Sequence, residues 1–318
     1  MKIVILDGSA ANPGDISWDE IAKFGELTVY DVTTQDQLIE RMGDAEIAIT
    51  NKTAFNEATI AKLPNLKYIG VLATGFNVVD LKACSERGIV VTNVPQYSTF
   101  ATMQHTIALL LSMTNLVESH NDSVKNGDWV RSSQFCFWNQ PLTELWNKTL
   151  VVFGYGKIGQ QVSKVASALG MNVIAVPHKM PQEETDGIAR FMSFEEALPL
   201  GDFITFHCPL TDETNQIVNS ETISKMKDGV SIINAARGGL INEADMKDAL
   251  ISGKVKAFAA DVVSVEPMLP DNPLLNAPNV ILTPHIAWAP KETRERLIEI
   301  AAENLEGFLS GNIINKVN

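Results

Sequence analysis

Three polar residues stand where plain core packing would not put them. Arg237 lies in Asn234-Ala235-Ala236-Arg237-Gly238-Gly239, Glu266 in Asp261-Val262-Val263-Ser264-Val265-Glu266-Pro267, and His285 in Thr283-Pro284-His285-Ile286-Ala287-Trp288. Each follows a short, strand-like apolar run, at 231–234, 257–262 and 280–282. In open parallel sheets ligands bind beyond the carboxyl ends of the strands, so these are positions for chemistry. The residue types say what chemistry is available. A guanidinium is a planar, permanently charged fork that grips a carboxylate through paired hydrogen bonds. An imidazole gains and loses a proton near neutrality, and a carboxylate beside it orients it and favours its charged form. Two plainer readings remain open at this point: Arg237 and Glu266 as an ion pair that only braces the fold, and His285 as a helix cap.

A fourth segment, Gly154-Tyr155-Gly156-Lys157-Ile158-Gly159, follows the apolar run 149–153 and precedes a helical pattern over 160–169. A GxGxxG string alone is weak. Between a strand and a helix it acquires a mechanism: Gly154 permits a tight turn, Gly156 lets backbone approach a pyrophosphate, and Gly159 lets helix and strand pack closely. The pyrophosphate then rests on exposed amides at the positive helix end. The alternative is a glycine-rich turn with no ligand. Ribose hydroxyls are normally held by a carboxylate at the end of the next strand. That strand spans 172–176, and Pro177-His178-Lys179 comes directly after it. With no carboxylate there and added positive charge, NAD(H) and NADP(H) both stay open as the cofactor, unless a backbone group or water serves the ribose.

The elements that must position these residues alternate. Strands are expected at 2–6, 27–30, 47–50, 68–72 and 90–91, with helical spacing at 18–24, 35–42, 56–61 and 81–86. After a longer helical stretch, 101–118, a second series begins, with strands at 149–153, 172–176, 203–207, 231–234, 257–262 and 280–282. Alternation of this kind implies parallel sheets with crossover helices. The fold class expected is α/β, two Rossmann-like doubly wound units, a number that 318 residues also suggest. Hydrophobic residues at 45% and charged residues at 20% are ordinary for a globular protein. A formal net charge of −13 argues against nucleic acid or an anionic membrane as partner, but a small anionic substrate needs only local positive charge. No apolar run approaches the roughly 18 residues of a membrane span, and the opening run is too short for a secretory signal. Cys84, Cys136 and Cys208 show no paired spacing for a disulfide framework or a metal site, which points to reduced thiols and the cytoplasm.

Taken in order, the glycine loop, the Asn-Ala-Ala-Arg-Gly-Gly, Ser-Val-Glu-Pro and Pro-His-Ile-Ala-Trp segments resemble the D-isomer-specific 2-hydroxyacid dehydrogenase family over essentially the whole chain. Within it the chain is most similar to the glycerate dehydrogenase (hydroxypyruvate reductase) branch. The resemblance implies that a small 2-keto acid, hydroxypyruvate or glyoxylate, is reduced to the D-2-hydroxy acid by hydride from NAD(P)H, and the reverse. His285 would protonate the carbonyl oxygen, Glu266 would orient the imidazole, and Arg237 would hold the substrate carboxylate and polarise the carbonyl. It also implies a substrate-binding unit over 1–100 and 285–318, a cofactor unit over 101–284, and an active site in the cleft between them.

Other positions carry over residue by residue. Ala73, Thr74 and Gly75 match a loop whose amides receive the substrate carboxylate, although an ordinary glycine turn would read the same. Lys157 and Ile158 of the glycine loop, His178 and Lys179 beyond the next strand, and Ala235 match the cofactor side. So do His207, Cys208, Pro209 and Thr214, although His207 could equally be a satisfied, half-buried histidine. Asp261 matches a partner of the nicotinamide carboxamide; the alternative is a strand-end carboxylate bonded to nearby backbone. His105, beside Met103-Gln104 where the family more often has Ala-Glu, is expected to pack. The stretch 115–148 holds Trp129, Trp138 and Trp146, three of the five tryptophans, and in the family embraces a second subunit, which implies a homodimer; a local aromatic cluster is the alternative. Two rivals are a nucleotide-sensing corepressor-like binding protein and the formate dehydrogenase branch, which Glu266 disfavours because that branch carries Gln there.

Overall fold

The computed structural model describes residues 1–318. Two units emerge, one formed by Met1–Ser98 with Trp288–Asn318, the other by Thr99–Ala287.

In the first unit, β1 (Lys2–Ile5), β2 (Glu26–Val29), β3 (Ile47–Thr50), β4 (Tyr68–Val71) and β5 (Val90–Thr92) form a parallel sheet in the order β2-β1-β3-β4-β5. Both faces are covered, which is why β3 and β4 read as continuous apolar runs rather than alternating ones. The two-residue period still decides which face each side chain takes. Val4, Ala48, Ile69 and Val91 pack with Leu38, Met42 and Ile60. Ile3, Ile5, Ile47, Ile49 and Tyr68 pack with Leu297, Ile298, Ala301 and Leu305. The last four lie on the helix Lys291–Ser310, which follows Pro290 and stops at Gly311 in the left-handed conformation (φ +82°).

In the second unit, β6 (Thr149–Phe153), β7 (Asn172–Val176), β8 (Ala189–Phe191), β9 (Phe203–Phe206), β10 (Val230–Asn234), β11 (Val255–Ala260) and β12 (Val280–Leu282) form a parallel sheet in the order β12-β11-β10-β9-β6-β7-β8. The order reverses between β6 and β9, the switch point at which doubly wound sheets open a crevice for ligands. Three differences from expectation stand out. The short edge strand β8 was not anticipated, because three residues carry no readable period. Strand β11 ends at Ala260, so Asp261 begins the following turn. The helix expected over 101–118 spans Thr99–Asn115, and Leu116 (φ +49°) separates it from a second helix, Val117–Lys125. Near that break Thr114 Oγ1 donates back to the carbonyls of Leu110 (3.0 Å) and Leu111 (3.2 Å), a habit of threonine that bends helices. No helix is long and apolar enough to cross a membrane.

Candidate active site

The turn after β6 is built around Gly154, whose φ of +93° suits glycine. A Cβ there would also lie 2.6 Å from the His207 carbonyl carbon and the Cys208 nitrogen, so the turn closes against the end of β9. Gly156 is the opposite case. A Cβ at Gly156 would meet nothing within 4 Å, and no side chain caps the helix Lys157–Ala168 that starts there. Open space over uncapped amides at a helix N-terminus is what a pyrophosphate requires, so these residues fit the dinucleotide. His178 and Lys179, after β7, are exposed. One carboxylate on this side was not singled out from the sequence. Tyr155 Oη donates to Asp186 (2.5 Å), whose other oxygen accepts the amides of Ile188 and Ala189 (both 2.9 Å). Burial raises the Tyr155 hydroxyl above its ordinary range, and the Asp186 carboxylate adds to the effect.

At the end of β9, His207 is half-buried and its Nε2 meets Thr205 Oγ1 at 3.0 Å. Desolvation pushes this imidazole well down, so it is a neutral group rather than a cation. Burial likewise pushes the Cys208 thiol up to about 11. Thr214 ties its own turn, donating from Oγ1 to the Pro209 carbonyl (2.8 Å) and accepting from the Thr211 amide (2.8 Å).

The trio sits on neighbouring turns. Asn234, fully buried at the end of β10, braces its turn from both sides: Oδ1 accepts the Ala236 amide (3.0 Å) and Nδ2 donates to the Arg237 carbonyl (2.8 Å). That presents Arg237 as an exposed side chain whose Nη1 donates to the Ala236 carbonyl (2.7 Å). Gly238 lets the next turn pass at close range, since a Cβ there would fall 1.9 Å from the Val263 carbonyl carbon. Glu243, another residue the sequence did not single out, pins the same turn. It accepts from the Ser264 amide (2.8 Å) and hydroxyl (2.7 Å) and from Asn272 Nδ2 (2.9 Å). Glu266 then accepts from His285 Nδ1 at 2.6 Å, with both side chains half-buried. The remaining ring nitrogen of His285, Nε2, is the one left for a reacting atom.

Asp261 follows β11 and is bonded to the turn that carries His285. Only 1% exposed, it accepts from Thr283 Oγ1 (2.6 Å) and the amides of Ile286 and Ala287 (2.8 Å each), while its carbonyl accepts the His285 amide (2.8 Å). His285 itself has φ +55°, a strained conformation for an ordinary residue, and this clamp holds it. His105, expected to pack, is part of the clamp instead, with Nε2 2.9 Å from Thr283 Oγ1 and 3.4 Å from Asp261 Oδ1. Burial opposes ionisation of Asp261, but the bonds from His105, Thr283 and the two amides outweigh it and hold the carboxyl below its usual range. No group of three or more His, Cys, Asp or Glu residues is arranged to hold a metal ion. In the first unit, Ala73, Thr74 and Gly75 form the turn after β4.

A dinucleotide turn at the switch point, with a guanidinium and an imidazole–carboxylate pair on neighbouring strand ends, defines an oxidoreductase that uses a nicotinamide dinucleotide. Residues 107–287 match the D-isomer specific 2-hydroxyacid dehydrogenase, NAD binding domain. The chain is 50% identical, over all of both chains, to hydroxypyruvate reductase of Blautia hydrogenotrophica. It is 37% identical to glycerate dehydrogenase of Methylorubrum extorquens, covering 99% of this chain and 98% of that one. Among solved structures it superposes on D-lactate dehydrogenase from Aquifex aeolicus, complexed with NAD and lactic acid, with a TM-score of 0.83 and 28% identity, over 98% of this chain and 96% of that one. The chain belongs to the D-isomer specific 2-hydroxyacid dehydrogenase family, and is an enzyme that interconverts a 2-keto acid and a 2-hydroxy acid with NAD(P)(H).

Proposed function

We propose that this enzyme reduces hydroxypyruvate, and glyoxylate as its smaller analogue, to the matching 2-hydroxy acid, with Arg237, Glu266 and His285 as the catalytic residues. The observation that carries the reading is the 2.6 Å bond between Glu266 and His285, on a turn packed against that of Arg237. The nicotinamide, when bound, supplies the hydride that adds to the carbonyl carbon. Arg237 holds the carboxylate through its fork and polarises the carbonyl. His285 gives the proton on Nε2 to the carbonyl oxygen, and regains one from solvent after product leaves. Glu266, bonded to Nδ1, fixes the ring orientation and offsets the charge of the imidazolium. Ala73, Thr74 and Gly75 are assigned to the substrate carboxylate on family resemblance, and Asp261 to the carboxamide on the same ground. A binding-only, corepressor-like role would have no use for the imidazole–carboxylate pair.

The substrate assignment draws on the hydroxypyruvate reductase relative. It is tested by steady-state kcat/KM for hydroxypyruvate, glyoxylate, pyruvate and phenylpyruvate with NADH and NADPH. The two small substrates should lead, and a preference for pyruvate or phenylpyruvate would overturn it.

Dimerisation through 115–148 is supported by the exposure of Trp129 (51%), Phe135 (87%), Trp138 (64%) and Trp146 (67%), large apolar side chains that a second subunit would cover. Sedimentation of Trp138→Glu beside the unmodified enzyme tests it, and two identical masses would refute it. A cytoplasmic location is proposed from three cysteines that form no disulfide, Cys84, Cys136 and Cys208; fractionation of cells expressing the protein tests it, and recovery outside the cytoplasm would refute it.

A further inference from the structure

Segment 312–318 runs along β5 and covers its outer edge. The Val317 amide donates to the Val91 carbonyl (2.9 Å), the Val91 amide to Asn318 Oδ1 (2.9 Å) and the Asn93 amide to the Asn315 carbonyl (3.2 Å). From this seam a line of side-chain amides leads inward. Asn315 Nδ2 donates to Asn304 Oδ1 (2.8 Å), Asn304 Nδ2 donates to the Asn93 carbonyl (2.8 Å), and Asn93 Nδ2 donates to the Thr74 carbonyl (2.7 Å). The line ends on the loop assigned to the substrate carboxylate. That loop is also held by Thr74 Oγ1 on the Val94 carbonyl (3.0 Å), the Val94 amide on the Ala73 carbonyl (3.0 Å) and Asn51 Nδ2 on the Leu72 carbonyl (2.6 Å).

Asn304 is 1% exposed in a helix whose neighbouring buried positions are apolar. Asparagine is a poor helix former, and an amide buried there is costly unless every polar atom is matched. Both its oxygen and its nitrogen are matched, in one orientation only. A fully satisfied buried network of this kind defines a geometry rather than merely filling space. Amides bind an anion only when they converge on it within hydrogen-bond distance and angle.

We propose that Asn315, Asn304 and Asn93 are positioning residues that set the Ala73–Gly75 loop for the substrate carboxylate. The inference rests on the assignment of that loop above. The relay does not touch the reacting atoms, so its loss should appear as weaker substrate binding, with KM raised and kcat retained.

The test is steady-state reduction of hydroxypyruvate by the full enzyme at saturating NADH, with NADH affinity from fluorescence titration and a thermal melt for each variant. Asn304→Ala and Asn315→Gly should each raise the KM for hydroxypyruvate about five- to tenfold, the loss expected from one neutral hydrogen bond, with kcat and NADH affinity unchanged. Asn315 has φ +50°, which glycine adopts freely, so Asn315→Gly removes the amide and keeps the backbone even if Asn304→Ala fails to fold. Gly75→Pro, which deletes an amide of the loop itself, separates the two levels of the argument. A raised KM in Gly75→Pro with no KM change in the asparagine variants, whatever their melting temperatures, would overturn the relay. An unchanged KM in Gly75→Pro would remove the loop from substrate binding and the relay with it.

Discussion

Replacing Asp261 by asparagine should loosen the turn that carries His285, by an amount the hydrogen bonds allow to be worked out. Oδ1 accepts Thr283 Oγ1 and the Ile286 amide, with His105 Nε2 also 3.4 Å away, and Oδ2 accepts the Ala287 amide. Asparagine has the same shape, but one of the two positions becomes an NH2 group that faces a donor. In the less damaging orientation the amide keeps its oxygen toward Thr283 and Ile286 and sets its nitrogen against the Ala287 N–H. One charge-assisted bond is then lost and two buried donors, the Ala287 N–H and the new NH2, are left facing each other, together costing at least about 2–3 kcal/mol. The Ala287 bond is one of those that hold the His285 turn at φ +55°, so its loss should leave His285 less tightly placed. Urea unfolding of the cofactor-free enzyme at pH 7 should show the loss, and kcat/KM for reduction should fall with it. The pH dependence has a definite sign. The Asp261 carboxyl is lowered in the folded enzyme, so its stabilisation is complete above the unfolded value of about 3.9 and disappears as pH falls through the lower folded value. The gap between the unmodified enzyme and Asp261→Asn should therefore be constant from pH 7 to 5 and narrow in more acidic solution. An Asp261→Asn enzyme within about 0.5 kcal/mol of the unmodified one at pH 7, with unchanged kcat/KM, would refute the clamp.

Arg237→Ala should lower kcat/KM for keto-acid reduction by roughly a hundredfold or more, the worth of a bidentate charged contact, while NADH affinity stays the same; an unchanged kcat/KM removes Arg237 from the substrate site. Glu266→Gln keeps an acceptor for His285 Nδ1 but not the charge, so kcat should drop about ten- to a hundredfold with NADH affinity intact. Full kcat in that variant would leave Glu266 a structural partner only. With Pro177, His178 and Lys179 after β7, NADPH should serve as reductant alongside NADH, and Pro177→Asp should shift the preference toward NADH. Exclusion of NADPH by more than about a thousandfold, roughly 4 kcal/mol, in the unmodified enzyme would mean that a carboxylate from elsewhere in the chain reaches the ribose.

Much of this molecule is local chemistry, and that part is written in the order of the residues. A strand, a tight glycine turn and a helix are adjacent in sequence, so Gly154 and Gly156 announce a dinucleotide turn before any contact is known. Arg237, Glu266 and His285 each follow their own strand within a few residues, and parallel alternation is enough to set all three at strand ends. What tertiary structure decided lies between residues far apart in sequence. His105 reaches Thr283 across 178 positions, and Asn93 meets Asn304 across 211. Hydrophobic periodicity says which face of an element is buried but not which element it meets, because that depends on sheet order and register. The same holds for the choice of His285 Nδ1 for Glu266, for Asp261 as the clamp of the histidine turn, and for Gly238 as the place where two turns pass. These are pairings between neighbouring strand ends, and they came into existence only when the order β9-β10-β11-β12 placed those ends side by side.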